Sequence, residues 1–332
     1  MMMLSMRTRI TAGTAALGAV TLMLATACGN DEGSADNGDS SATALTIATG
    51  IYPLEWLATQ IGGQSTEVIQ LTEPGAEPHD LELTGRQIAQ VSEADLVFYV
   101  EGLQPAVDEA AAQEAADASL NVADVISLRP VDDGGEEHDH DHDHEDEHGD
   151  ADGHGHDHGD HDPHFWLDLD LMGQTAEALA ERMGEIDPQG AEHYREEAER
   201  VVGELDALSQ EYEQGLASCE QREVVVGHTA FTYLTDRYDL EQIGLSGVDP
   251  ETEPSPAQIA AIADVVNEHD ITTIFTEPLM PTATAETIAA ETGARVEVLD
   301  PLEGVTDDSP GDDYPSIMRG NLETLRTALV CE

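Results

Sequence analysis

Lysine is absent from this 332-residue chain. Its 12 basic side chains are all Arg and stand against 70 Asp and Glu, a formal charge of −58 at pH 7. The acidity is not confined to one segment, because 52 of the acids and 10 of the Arg lie outside residues 1–43 and 132–161. A surface so poor in positive charge repels a phosphate backbone, which argues against nucleic acid as a partner. Long apolar runs are missing as well. After residue 27 no stretch stays apolar over the roughly 20 residues that a membrane span needs. Cysteine is scarce, at Cys28, Cys219 and Cys331. No CxxC pair occurs, which argues against thiolate metal ligation.

What the N-terminus does hold is a leader. Arg7 and Arg9 form a basic start, residues 10–27 are uncharged and apolar or small, and Ala25-Thr26-Ala27-Cys28 follows. This is the pattern of a secretory signal peptide over 1–27. A Cys directly after small residues resembles a bacterial lipobox, so Cys28 is expected to be the lipidated first residue of the mature chain. Residues 28–43 are Gly, Ser, Asn and acid, too poor in apolar groups to pack, and read as a tether. The expected location is the outer face of a bacterial cell membrane, or the periplasm. Export leaves Cys219 and Cys331 as an even pair in an oxidising compartment, where one disulfide is expected.

Beyond the tether the chain is long enough for two domains with real cores. Residues 44–49, 67–71, 96–100 and 122–128 read as strands, separated by helical stretches. The scheme returns at 223–226, 242–245, 271–276 and 295–299. Strands alternating with helices give parallel sheets, hence an α/β fold. Between the two halves, Tyr194, Ala198, Val201, Leu205, Leu208, Tyr212 and Leu216 recur at three- and four-residue spacing. They predict a connector helix over 188–218, roughly 45 Å long. The expected organisation is an N-terminal lobe over 44–187, this connector, and a C-terminal lobe over 219–332.

The first lobe is interrupted at 132–161 by a tract of His, Asp, Glu and Gly. It carries His138, His140, His142, His144, His148, His154, His156, His158 and His161. Imidazoles at this density suggest zinc, copper or nickel, gathered in an accessory loop. Four further residues sit where ligands collect in α/β proteins, at loops and strand ends. They are His79 in Pro74-Gly75-Ala76-Glu77-Pro78-His79-Asp80, His164 in Asp162-Pro163-His164-Phe165-Trp166-Leu167-Asp168, His228 directly after a strand, and Asp300 directly after another. Three imidazoles and one carboxylate make a tetrahedral zinc shell. Each alone has a plainer reading: a His in a Pro-Gly loop is commonly a surface residue, and Asp before Pro commonly caps a turn.

These stretches resemble the metal-binding solute receptors of ABC importers, the cluster A-I family that serves zinc and manganese. The likeness continues through His228-Thr229-Ala230-Phe231, Glu253-Pro254-Ser255-Pro256, Thr276-Glu277-Pro278 and Leu299-Asp300-Pro301-Leu302, and covers nearly all of 44–332 in order. It implies two (βα)4-type lobes with parallel sheets, joined by a rigid helix, with the metal in the cleft between them. It also implies His79, His164, His228 and Asp300 as ligands, with Glu77 as a substitute carboxylate. His rather than Glu at position 228 matches the zinc branch of the family. Three imidazoles favour borderline Zn²⁺, where a second carboxylate would suit harder Mn²⁺.

The expected function is capture of Zn²⁺ for an ABC permease driven by its ATPase, by a lipid-anchored monomer that is not an enzyme. The alternatives are a manganese or other divalent-metal receptor, a surface zinc buffer or adhesin, and a zinc hydrolase. The last needs an open coordination position and a base, for which Glu277 is the nearest carboxylate.

Overall fold

The described residues of the computed structural model are 44–131, 161–248, 250 and 254–332. The leader, Cys28, the tether, the tract up to residue 160 and Glu253 lie outside them. The first lobe begins with strand β1 (Leu45–Thr49) and helix α1 (Tyr52–Gly62), which has Pro53 in its first turn. Then come β2 (Thr66–Gln70), α2 (Gly85–Glu93), β3 (Leu96–Tyr99), α3 (Pro105–Glu114) and β4 (Ser119–Asn121). The strands form one parallel sheet in the order β2-β1-β3-β4. Local signals set the helix starts. Thr84 and Gln87 form a reciprocal capping box at α2, which satisfies backbone N–H groups that have no partner inside the helix.

An antiparallel pair follows, β5 (Arg129–Pro130) with β6 (His161–Asp162). It pairs the described residues on either side of 132–160. Helix α4 (Leu169–Ile186) is capped by the carboxylate of Asp168, and α5 (Ala191–Leu216) runs for 26 residues, about 39 Å. Its buried face holds the seven residues that the spacing predicted, plus Ser209. It packs against α4 and also against α1 and the last helix, α9 (Tyr314–Ala328). The second lobe comprises β7 (Glu223–Val226), α6 (Thr232–Arg237), β8 (Glu241–Gly244), α7 (Pro256–Glu268), β9 (Thr273–Thr276), α8 (Ala283–Thr292) and β10 (Arg295–Val298). Its sheet is also parallel, in the order β10-β9-β7-β8.

The fold is therefore α/β with a parallel sheet in each of two lobes. One apolar cluster runs from Leu45 in the first lobe to Leu329 in the second, through the buried faces of α4, α5 and α9. Smaller clusters lie under α2 and α3, and under α7 and α8. Cys219 and Cys331 form the expected disulfide, across a separation of 112 residues.

One strand differs in position from expectation. The strand expected at 122–128 lies earlier, at Ser119–Asn121, because the Asn121 side chain accepts the Ala123 N–H and turns the chain into a 3-10 turn over Val122–Asp124. The helix after His228 opens as a 3-10 turn over Thr229–Phe231 before α6.

Candidate metal centre

Four buried side chains meet between the lobes. His79 lies in the loop after β2, where Glu77 Oε1 accepts its backbone N–H at 3.1 Å. Gln104 steadies that loop by donating to the Pro78 carbonyl at 3.0 Å. His164 precedes a 3-10 turn over Phe165–Leu167, all three of which are buried. Asp162 Oδ1 accepts the His164 backbone N–H at 3.0 Å and lies 2.8 Å from Nδ1. His228 follows β7. Glu277 Oε1 accepts its backbone N–H at 3.0 Å, and Glu277 Oε2 lies 2.6 Å from Nδ1. Gly227 permits that approach, since a Cβ there would fall 2.6 Å from Glu277 Oε1. The fourth side chain is Glu303, in the turn after β10.

The Nε2 atoms of His79, His164 and His228 lie 3.3, 3.2 and 3.2 Å from Glu303 Oε1. One donor atom from each of the four residues lies within 4.8 Å of the others. Relative exposures are 5% for His79, 0% for His164 and His228, and 2% for Glu303, so bulk water does not compete for these atoms. A tetrahedral ion with bonds of about 2.0–2.1 Å has ligand–ligand edges of about 3.3–3.4 Å. The three N···O separations match those edges, and the donor set of three nitrogens and one oxygen suits Zn²⁺.

Charge is arranged to match. Burial alone would push the Glu303 carboxyl up, but His228, His164 and His79 together hold it well below the usual carboxylate range. Burial opposes a proton on His228, yet Glu277 and Glu303 outweigh it and raise the imidazole well above its ordinary value. His164 is likewise raised against burial, by Asp162 and Glu303. At His79 burial prevails and lowers the pKa, with Glu303 opposing. Asp162 and Glu277 stand at the Nδ1 sides of their rings, so each turns an Nε2 toward the meeting point. This is the outer-shell arrangement that fixes ring orientation and ligand basicity at metal sites.

Three of the four expected ligands are thus brought together, and the fourth corner differs. The carboxylate that meets the imidazoles is Glu303, and Asp300 is not in the group. Asp300 is buried, but its Oδ1 accepts the Leu302 N–H at 2.8 Å. Burial raises its pKa to about 6. Glu77 is not in the group either. Burial, with the charge of Glu303, pushes it up to about 8. Glu277 stands behind His228 rather than at the meeting point. His161, the one tract histidine among the described residues, is exposed on β6. Glu303 was missed because Asp300 lies nearest the strand end, where the loop rule points. The chain reaches Glu303 only after Leu302, whose φ of 60° bends the turn. The Asp-Pro pair, a common turn former, was the available signal.

Residues 47–328 match the family described as ZnuA, the periplasmic zinc-uptake complex component A. The high-affinity zinc uptake system protein ZnuA of Bacillus subtilis is 33% identical, over 94% of this chain and 96% of its own length. The zinc-binding lipoprotein AdcA of Streptococcus pneumoniae is 30% identical over 92% of this chain, which spans 60% of that longer relative. Among solved structures, the laminin-binding protein Lmb of Streptococcus agalactiae, described as an adhesin with metal-transporting activity, superposes with a TM-score of 0.72. It is 28% identical and covers 86% of this chain and all of its own.

Proposed function

From a chain that belongs to the family of periplasmic zinc-uptake component A, we propose a receptor that captures Zn²⁺ between its lobes on His79, His164, His228 and Glu303. The observation that carries this reading is the convergence of three imidazole Nε2 atoms on one Glu303 oxygen at 3.2–3.3 Å.

The cargo leaves by delivery to an ABC permease with its ATPase, and the receptor is a monomer. Four protein donors complete a tetrahedral shell and leave no position for a reactive water, which sets this site apart from a zinc hydrolase. Three imidazoles with one carboxylate favour zinc over manganese. The lipobox-like sequence at Cys28 and the lipoprotein relative support a lipid anchor on the outer face of the cell membrane. The His-rich tract supplies further, weaker sites that gather zinc near the receptor.

Zinc titration of the mature protein beside the His228→Ala variant tests the reading. The native protein is expected to hold one tight zinc apart from any weak tract sites, and the variant to lose that tight site. Equal affinities would overturn it.

A further inference from the structure

The turn that delivers Glu303 is held from several directions. The backbone N–H of Asp300 donates to Asn321 Oδ1 at 3.0 Å, and Asn321 Nδ2 donates back to the Asp300 carbonyl at 2.7 Å. Asn321 is a fully buried residue of α9. The Asp300 carboxylate reaches two residues ahead and accepts the Leu302 N–H at 2.8 Å. This is the Asx-turn pattern, in which a side chain replaces a backbone acceptor. The carbonyl of Pro301 accepts the indole N–H of Trp166 at 2.7 Å.

These bonds enclose a residue in an unfavourable conformation. Leu302 has φ of 60°, where the Cβ of an L residue crowds its own backbone and Leu is rare. Its side chain is fully buried in the main core, so the strain cannot relax by swinging the residue into solvent. Strain of this kind persists only where the surroundings over-determine it, and it marks places where geometry serves a site. The residue that follows is Glu303.

We propose that Asp300 and Asn321 are positioning residues that lock Leu302 in the left-handed conformation and so aim Glu303 at the three imidazoles. Asp300 then acts one step back from the metal, as the acceptor that shapes the turn. Its hydrogen-bonding oxygen matters, and its charge does not. This rests on the reading of Glu303 as a zinc ligand.

The test combines Asp300→Ala, Asp300→Asn and Glu303→Gln in the full chain, with zinc titration and the visible spectrum of the Co²⁺-loaded protein. The spectrum reports the donor set directly. Asp300→Ala removes the acceptor for Leu302 and is expected to weaken zinc by about 10–100-fold, the usual range for loss of an outer-shell partner. Its cobalt spectrum should move toward that of Glu303→Gln. Asp300→Asn keeps an oxygen for the Leu302 N–H and should lose less than about tenfold, short of that range. In the Glu303→Gln background, Asp300→Ala should add no further loss.

An unchanged cobalt spectrum in Asp300→Ala, or an equal added loss in the Glu303→Gln background, would overturn the proposal. So would Asp300→Asn failing as badly as Glu303→Gln, which would make Asp300 a ligand through its charge. This last arm holds even if Asp300→Ala does not fold. Native affinity in Glu303→Gln alone would instead overturn the ligand reading beneath it, so the two failures are distinguishable.

Discussion

The indole N–H of Trp166 donates to the carbonyl of Pro301 at 2.7 Å. This bond ties the loop bearing His164 to the turn bearing Glu303, and so links ligands from the two lobes. Tyr314 reinforces it by donating its hydroxyl to the Trp166 carbonyl and stacking on Trp56 with centroids 4.8 Å apart. Trp166→Phe keeps most of the packing but leaves a buried carbonyl without its donor, at a cost of about 1–3 kcal/mol. Denaturant unfolding of the metal-free protein should show that loss, and zinc binding should weaken with it. Unchanged stability would mean that the bond contributes nothing.

Zinc binding should release protons at neutral pH. Despite burial, the imidazole of His228 is raised well above its ordinary value by Glu277 and Glu303, and that of His164 is raised by Asp162 and Glu303. Zinc takes only the neutral ring, so bound protons must leave. Affinity should therefore rise with pH across the neutral range. Calorimetry at pH 7 in two buffers of different ionisation heat should show at least one proton released per zinc, and identical heats would contradict this. The sign for the metal-free fold is opposite. A raised imidazole contributes stability that is full below its unfolded value of about 6.5 and is lost as pH rises through the folded value.

Gly227→Ala places a Cβ 2.6 Å from Glu277 Oε1. Glu277 must then withdraw from the backbone and ring of His228. The expected result is zinc affinity lower by about 10–100-fold. Native affinity in this variant would show that Glu277 does not orient His228.

Reduction of the Cys219–Cys331 disulfide frees a loop spanning 112 residues. The chain-entropy model gives about 4–5 kcal/mol for a loop of that size. Thermal unfolding should fall markedly in the presence of a reductant. Zinc affinity should hardly change, because neither cysteine belongs to the group of four ligating side chains. A reduced protein as stable as the oxidised one would show that the loop closure is energetically idle.

Much of the architecture was legible because local signals carried it. The spacing of Tyr194, Ala198, Val201 and Leu205 states a buried helical face. His79, His164 and His228 stood out as candidates because each sits at a turn or strand end, and the family resemblance joined them into one set. Glu303 was not. In a chain with 70 acids, one carboxylate carries little information by type. Its selection depends on the bend at Leu302, which is fixed by Asn321 from a helix 21 residues from Asp300 and by Trp166 from the other lobe. The orienting roles of Asp162 and Glu277 were hidden for the same reason: they exist only in the approach of a carboxylate to an Nδ1. The continuous core between the lobes is likewise a product of how α4, α5 and α9 pack.

The most direct test is a zinc titration of the protein lacking residues 132–160, run beside the same protein carrying Glu303→Gln. The first should bind one tight zinc with an affinity close to that of the full chain. The second should bind at least about 100-fold more weakly, since it loses a ligand rather than an outer-shell partner. Loss of the tight site on deleting the tract, or equal affinity with and without the Glu303 carboxylate, would contradict a zinc site built from His79, His164, His228 and Glu303.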